Sequence, residues 1–358
     1  MQTLHSPTQA AAWLRQHVTG NLCTDSRAVS QGDGFIAWPG AATDGRAYVG
    51  AALSQGASAC LVEAQGCEQW LTSSLKSGSS NEFVAAYAGL KADTGWIADA
   101  YYEQPSKSLK VLAVTGTNGK TSTTWWLAQA LNALSQTDAN KTTRCALVGT
   151  LGVGEPPQLV STGMTTPDPV LLQAQFKNFA MAGVTHCAIE ASSIGLAEHR
   201  LAGTRIQLAL FTNFTQDHLD YHGDMQAYGQ ANARLFDWPG LRACVINTQD
   251  PFGATLAASL EGKGLDVWTC SRAGGQARLQ ARQVMSAQAG LVLDILEGGQ
   301  TERLQTVLVG DFNIDNLLGV IGALRALGYD LSAAVQACAR LSPVPGRMQM
   351  IPVQADPL

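Results

Sequence analysis

The sequence predicts an α/β protein: a small N-terminal α/β unit, then a larger phosphate-loop domain built on a mainly parallel sheet with an antiparallel extension. Three observations carry this. From Lys110 onward, short continuous apolar runs alternate with helical patterns, as expected of strands covered on both faces. The stretch VLAVTGTNGKTSTTWWLAQAL (Val111–Leu131) reads as a strand, a tight glycine turn and a helix. Between about Asp266 and Leu308 the helical patterns stop, and runs such as GLVLDIL and RLQTVLV suggest antiparallel strands.

Along the chain, residues 1–83 alternate short apolar segments with glycines (GDGFIAWPG, ALSQGASACLVEA), which fits small α/β units. The polar, serine-rich run Leu71–Glu82 reads as a surface connection. A helical pattern follows from Phe83 to Tyr102 and ends before Pro105. The expected strands beyond it are Val111–Thr115, Cys145–Gly149, Cys187–Glu190, Leu208–Asn213 and Ala243–Asn247. Two helical patterns, Ile314–Leu327 and Ser332–Arg340, close the domain. The expected division is residues 1–83, residues 84–345, and residues 346–358 as the start of a further domain.

Composition narrows the function. The 358 residues are 46% hydrophobic and 14% charged, which suits a folded enzyme and is too apolar for a disordered chain. A net charge of −5 without a basic cluster argues against nucleic-acid binding, so an anionic ligand needs a local site. No apolar run is long enough for a membrane span, and the N-terminus lacks the pattern of a secretory signal. Eight scattered cysteines without a C-x-x-C fit free thiols in a reducing compartment. The expectation is a cytoplasmic protein that does not bind membranes.

The Gly116–Ser122 turn departs from the usual G-x-x-x-x-G-K-[ST] pattern, because Val114 stands at the first glycine position. The core alone fits either a phosphate loop or a glycine turn with a surface lysine. The strand before it and the helix after it favour nucleotide binding: glycines admit close backbone approach, and the helix start favours an anion. Lys120 can then bridge phosphate oxygens, and the Thr121 hydroxyl can ligate magnesium. Glu190 ends a buried apolar strand, where a carboxylate is costly unless paired or metal-bound. One strand later, Asn213, Asp217, His218, Asp220 and His222 fall within ten residues, a density that packing does not require. Asp311, Asn313 and Asn316 open a helix and read, in isolation, as caps.

Together, the motifs TDSRAVSQGDGFIAWPG with DGRAY, TGTNGKTST, STGMTTPDP, IEASSIGLAEHRL, FTNFTQDHLDYHGDMQAY, GDFNIDN and PVPGRM resemble the Mur ligases. The resemblance runs from about Cys23 to Met348 and is closest to the UDP-N-acetylmuramoyl-tripeptide synthetase branch (MurE type). It implies an N-terminal UDP-sugar-binding domain and a central ATP-binding domain. The activity implied is ATP-dependent addition of meso-diaminopimelate or L-lysine to UDP-N-acetylmuramoyl-L-alanyl-D-glutamate, in peptidoglycan precursor synthesis. ATP is the co-substrate, Mg2+ the cofactor, and a monomer the expected state. The γ-phosphate passes to a substrate carboxylate, and an incoming amine attacks the acyl phosphate.

By the same resemblance, Gly116, Thr117, Asn118, Gly119, Lys120, Thr121 and Ser122 hold the phosphates, and Asn316 faces the adenine. Thr121 and Glu190 ligate one magnesium ion and His218 a second. Asp25, Ser26 and Arg27 line the uridine site, while Thr165, Thr166, Ser192 and Arg200 hold the muramoyl-dipeptide. Catalysis is expected of Lys120, Glu190, His218 and the position of Asn232.

Asn232 is also a departure. The family pattern has a lysine there, normally carbamylated into an anionic metal-bridging group, and an asparagine carries neither amine nor charge. The other is the ending at PVPGRMQMIPVQADPL, where the family enters a third domain that recognises the amino acid. Gln349 replaces a usual Glu, and Ala41–Ala42 replace larger polar residues near the uridine. These departures predict an impaired ligase. They leave two alternatives: a non-catalytic remnant that binds nucleotide or UDP-sugar, and a folylpolyglutamate-type ligase.

Overall fold

The computed structural model describes residues 1–40, 43–68, 70, 83–137, 143–272, 275–287 and 290–347. The expected surface connection Leu71–Glu82, the Ala41–Ala42 pair, Gln349 and most of the expected third-domain start lie outside them. The chain divides into two compact units.

The first unit comprises Met1–Leu109 with Pro167–Ala182 and Gly195–Thr204. Its five strands are β1 (Gln2–Leu4), β2 (Leu22–Cys23), β3 (Gly34–Ala37), β4 (Ala59–Glu63) and β5 (Val84–Tyr87). They form an all-parallel sheet in the order β1-β5-β4-β3-β2. Side chains alternate across it: Leu61 and Ile36 pack with Leu14, Trp13 and Ile97, while Cys60, Val62 and Phe35 pack with Val49 and Ala52. Helix Pro7–His17 has a Ser6 cap that accepts from the Gln9 N–H at 3.2 Å and a proline at its start.

The helix expected over Phe83–Tyr102 begins only at Leu90, behind Gly89 at φ +74°. VAAY is the strand β5, buried at all four residues between β1 and β4. A short, wholly apolar run reads equally as strand or buried helix, so periodicity does not separate them. The boundary expected at residue 83 falls immediately before this strand.

The second unit comprises Lys110–Thr166, Gly183–Ile194 and Arg205–Leu358. Its strands are β6 (Lys110–Thr115), β7 (Cys145–Gly149), β8 (Gly152–Glu155), β9 (Gln158–Val160), β10 (His186–Glu190), β11 (Ile206–Phe211), β12 (Ala243–Asn247), β13 (Asp266–Ser271), β14 (Leu279–Ala287), β15 (Gly290–Glu297) and β16 (Gln300–Thr306). They make one sheet in the order β16-β15-β14-β13-β12-β11-β6-β10-β7-β8-β9. From β7 to β14 the pairing is parallel, and the two ends are antiparallel. The antiparallel extension expected near Asp266–Leu308 is present, but its first strand, β13, is parallel to β12. The β8–β9 hairpin was not foreseen; GVGEPPQLV is short, glycine- and proline-rich and only partly buried.

The central strands are buried nearly throughout. Helices Lys120–Thr137, Phe312–Ala326 and Leu331–Ala339 contribute Trp126, Leu131, Leu317, Ile321 and Val335 to one core with Leu112, Leu210 and Val245. Strand order reverses at β6, between β11 and β10, and in open α/β sheets ligands bind at the carboxyl ends of strands flanking such a point. Seven of the eight cysteines are buried free thiols. Among the described residues, no helix is long and apolar enough to cross a membrane.

Candidate active site

Strand β6 ends at Thr115 and the chain turns through Gly116 (φ +124°) and Gly119 (φ +86°) into helix Lys120–Thr137. Both hold a positive φ that residues with a side chain rarely adopt. A Cβ at Gly116 would lie 2.2 Å from Thr212 Oγ1, and one at Gly119 would lie 2.3 Å from Asn316 Oδ1.

Asn213, at the end of the neighbouring strand, pins the loop. Its Oδ1 accepts from the Asn118 N–H at 3.0 Å, its Nδ2 donates to Asn118 O at 3.0 Å, and its carbonyl accepts from the Thr117 N–H at 2.8 Å. The Thr117 hydroxyl donates to Thr215 O and accepts from the Thr215 N–H, 3.0 and 2.9 Å away. Lys120 Nζ donates to Gly116 O at 2.7 Å and Thr117 O at 2.9 Å. Burial depresses the lysine pKa, opposed by the charges of Glu190 and Asp217.

Glu190, 1% exposed, stands at the end of β10 beside this loop. Its Oε2 accepts from the Thr121 hydroxyl at 3.0 Å and the Thr150 hydroxyl at 3.2 Å, and its Oε1 from the Thr150 N–H at 2.8 Å. Burial raises its pKa; those hydrogen bonds and the charge of Lys120 pull the other way. A carboxylate in such a setting wants a cation. Thr121 and Glu190 together offer the hard oxygen donors that magnesium prefers, so the residues fit one ion here.

These groups line a cavity of about 780 Å³ that also takes in Asn118, Ser122, Thr165, Asn213, Asn247, Phe312, Asn313 and Asn316. Asn313 and Asn316, read in isolation as caps, are buried and bonded to each other at 3.2 Å, with Asn313 Nδ2 donating to Val309 O at 2.7 Å. They line the cavity together with the exposed Phe312.

Other expected residues lie outside this lining. Thr166 is buried behind it, its hydroxyl donating to Glu190 O at 2.7 Å and bonded to Ser192 Oγ at 2.9 Å. His218 is half-exposed in a left-handed conformation (φ +52°), its Nδ1 3.7 Å from Asp217 Oδ1. Asn232 is fully buried. Its Oδ1 accepts from the Thr115 hydroxyl at 2.6 Å, and its Nδ2 donates to Tyr228 O at 3.0 Å. The carboxamide oxygen is thus engaged at the strand end leading into the loop. In the first unit, Asp25 caps a short 3-10 turn over Ser26–Ala28 and pairs with the exposed Arg27 at 2.6 Å. Arg200 belongs to that unit too and is half-buried.

The sequence reading overlooked Thr150 and gave Asn213 no role. Thr150 directly follows a buried strand, which was the available signal; its bond to Glu190 needed the fold.

The Mur ligase middle-domain model matches residues 114–324, and the Mur ligase family catalytic-domain model matches residues 19–90. The chain belongs to the Mur ligase family. It is 59% identical to the UDP-N-acetylmuramoyl-L-alanyl-D-glutamate–2,6-diaminopimelate ligase of Acidovorax sp. (strain JS42), covering 100% of this chain and 70% of that protein. The ligase of the same name from Janthinobacterium sp. (strain Marseille) is 44% identical over 95% of this chain and 66% of its own. A solved structure of a ligase so named superposes with a TM-score of 0.76 at 31% identity, over 93% of this chain and 65% of that one. This Mur ligase chain therefore spans about two thirds of the length of the relatives it matches.

Proposed function

We propose that this chain carries the ATP and UDP-sugar sites of a ligase that adds meso-diaminopimelate to UDP-N-acetylmuramoyl-L-alanyl-D-glutamate. The observation that carries the reading is the buried Glu190–Thr121 pair beside Lys120, in one cavity with Asn316 and Thr165. The names of its relatives supply the substrate and favour diaminopimelate over L-lysine. They also favour this reading over a folate-type ligase.

In the first half-reaction a substrate carboxylate oxygen attacks the γ-phosphorus of ATP. The bond to the β-bridging oxygen breaks, and ADP leaves with that electron pair. In the second, the amine attacks the acyl carbon, phosphate departs, and the ammonium proton is lost to solvent. Lys120, now bonded to two loop carbonyls, exchanges them for β- and γ-phosphate oxygens, which carry far more charge. Asn213 holds the loop so that its N–H groups need not reorganise, which is how a fixed site stabilises developing charge. Thr121 and Glu190 are the residues for magnesium, which when bound neutralises phosphate charge. A second ion at His218 rests on the resemblance alone, and the Asn232 oxygen is already engaged by the Thr115 hydroxyl.

Calorimetric titration with UDP-N-acetylmuramoyl-L-alanyl-D-glutamate tests the substrate. Binding is expected, weakened about tenfold by Arg200→Ala through loss of a forked guanidinium–anion contact. No heat at millimolar ligand would sink the assignment.

A further inference from the structure

Thr150 sits between Glu190, a residue proposed for magnesium, and Thr165, a residue proposed for the sugar nucleotide. Its hydroxyl oxygen is 3.2 Å from Glu190 Oε2 and 3.0 Å from Thr165 Oγ1, while its N–H independently fixes Glu190 Oε1 at 2.8 Å. A threonine hydroxyl has one proton to give and lone pairs to receive. It cannot donate to the carboxylate and to Thr165 at once, so two arrangements compete.

In the first, the Thr165 hydroxyl donates to Thr150 and the Thr150 hydroxyl donates to Glu190. In the second, the Thr150 hydroxyl donates to Thr165, and Glu190 keeps only the Thr121 hydroxyl and the Thr150 N–H. What selects between them is the Thr165 proton. An anionic or carbonyl oxygen of a substrate at Thr165 accepts that hydrogen bond and leaves the Thr165 oxygen free to accept, so the Thr150 hydroxyl has another acceptor to turn to when a cation competes for Glu190 Oε2. A carboxylate that loses a donor has a freer lone pair for a cation.

We propose that Thr150 is a positioning residue that couples substrate occupancy at Thr165 to the cation affinity of Glu190. This rests on the reading above that Thr165 faces the muramoyl-dipeptide. Its consequence is reciprocal coupling: magnesium–ATP and the sugar nucleotide each bind more tightly once the other is seated. Thr166 has a different duty, since its hydroxyl holds the Glu190 backbone carbonyl and Ser192 rather than the carboxylate.

The test is calorimetric titration of the full chain with magnesium and a non-hydrolysable ATP analogue, with and without saturating UDP-N-acetylmuramoyl-L-alanyl-D-glutamate. The wild type should bind the analogue about five- to tenfold more tightly in the presence of the sugar nucleotide, within the usual range of site-to-site coupling. Thr150→Val keeps the N–H bond and removes the hydroxyl. It should still bind each ligand alone, with the coupling reduced to less than twofold, and Thr150→Ser should restore it. Full coupling in Thr150→Val, or two bound ligands without coupling in the wild type, overturns the relay while leaving the proposed function standing. No sugar-nucleotide binding while the ATP analogue still binds overturns the substrate reading, and the relay with it.

Discussion

Replacing Glu190 with glutamine should make the protein more stable and a poorer ATP binder at the same time. The side chain is 1% exposed and accepts hydrogen bonds from the Thr121 hydroxyl, the Thr150 hydroxyl and the Thr150 N–H. Bonds to a charged group contribute about 1.5–3 kcal/mol each. Burial nevertheless outweighs them, because the pKa is raised above 4.5 with desolvation as the largest cause. A carboxyl with a raised pKa binds its proton more tightly in the folded chain than in the unfolded one. Stability therefore falls as pH rises from the ordinary carboxylate value through the raised one, and at neutral pH the charge is a net cost.

Glutamine keeps the shape. Its oxygen can still accept from the Thr150 N–H, and the two hydroxyls can rotate to accept from its amide. Relieving a buried charge in this way, net of the support that the Lys120 charge loses with it, is worth on the order of 1–2 kcal/mol. For a unit of this size each kcal/mol shifts Tm by about 2–4 °C, so Glu190→Gln should gain roughly 2–8 °C at pH 7.5. The gain should shrink as pH falls toward 4.5, where the wild-type carboxyl is itself protonated. Scanning calorimetry from pH 4.5 to 8 reads this directly. Titration with ATP and magnesium should show affinity lowered about 10- to 100-fold, the usual cost of disturbing a metal site. A lower Tm at pH 7.5, or a gap that widens on acidification, would refute the argument.

Two further predictions use the same units. Lys120→Ala should abolish magnesium-dependent ATP binding while leaving UDP-N-acetylmuramoyl-L-alanyl-D-glutamate binding within about twofold, because separate sites are usually additive; equal loss of both would mean that the domain has unfolded. Asn232→Ala should lower Tm by roughly 2–12 °C, since it strands the buried Thr115 hydroxyl at about 1–3 kcal/mol. An unchanged melting curve would show that the amide holds nothing in place.

What the sequence made legible was what is local. Cys145–Gly149 and Ala243–Asn247 were bounded correctly at both ends because a short apolar run between polar residues can only be buried as strand or helix, and their length decides it. The direction of β13 was not legible, since parallel and antiparallel neighbours bury the same side chains. The phosphate loop and Glu190 announced themselves through a glycine pattern and a carboxylate in the wrong surroundings. The residues that hold them did not, because their bonds span 40 positions from Thr150 to Glu190 and 95 from Asn213 to Asn118. No residue type marks such a partner in advance.

Asn232 shows why that distinction matters for reading a departure from a family pattern. By sequence it is a subtraction, a lysine's charge missing from a metal site. Its partner is 117 positions away: Thr115, the last residue of β6 before Gly116. The other end of the amide returns to its own helix at Tyr228, whose hydroxyl is 2.9 Å from Thr117 Oγ1 in the same loop. The carboxamide therefore ties helix Met225–Ala233 to the strand–loop junction that presents Lys120. A charged side chain placed there without its partners would bear the full cost of burial at a position with no access to solvent. Where the resemblance implies a charge lost from the chemistry, the structure shows an amide that braces the loop. The two effects separate experimentally, because the brace is read by melting temperature and the charge by turnover.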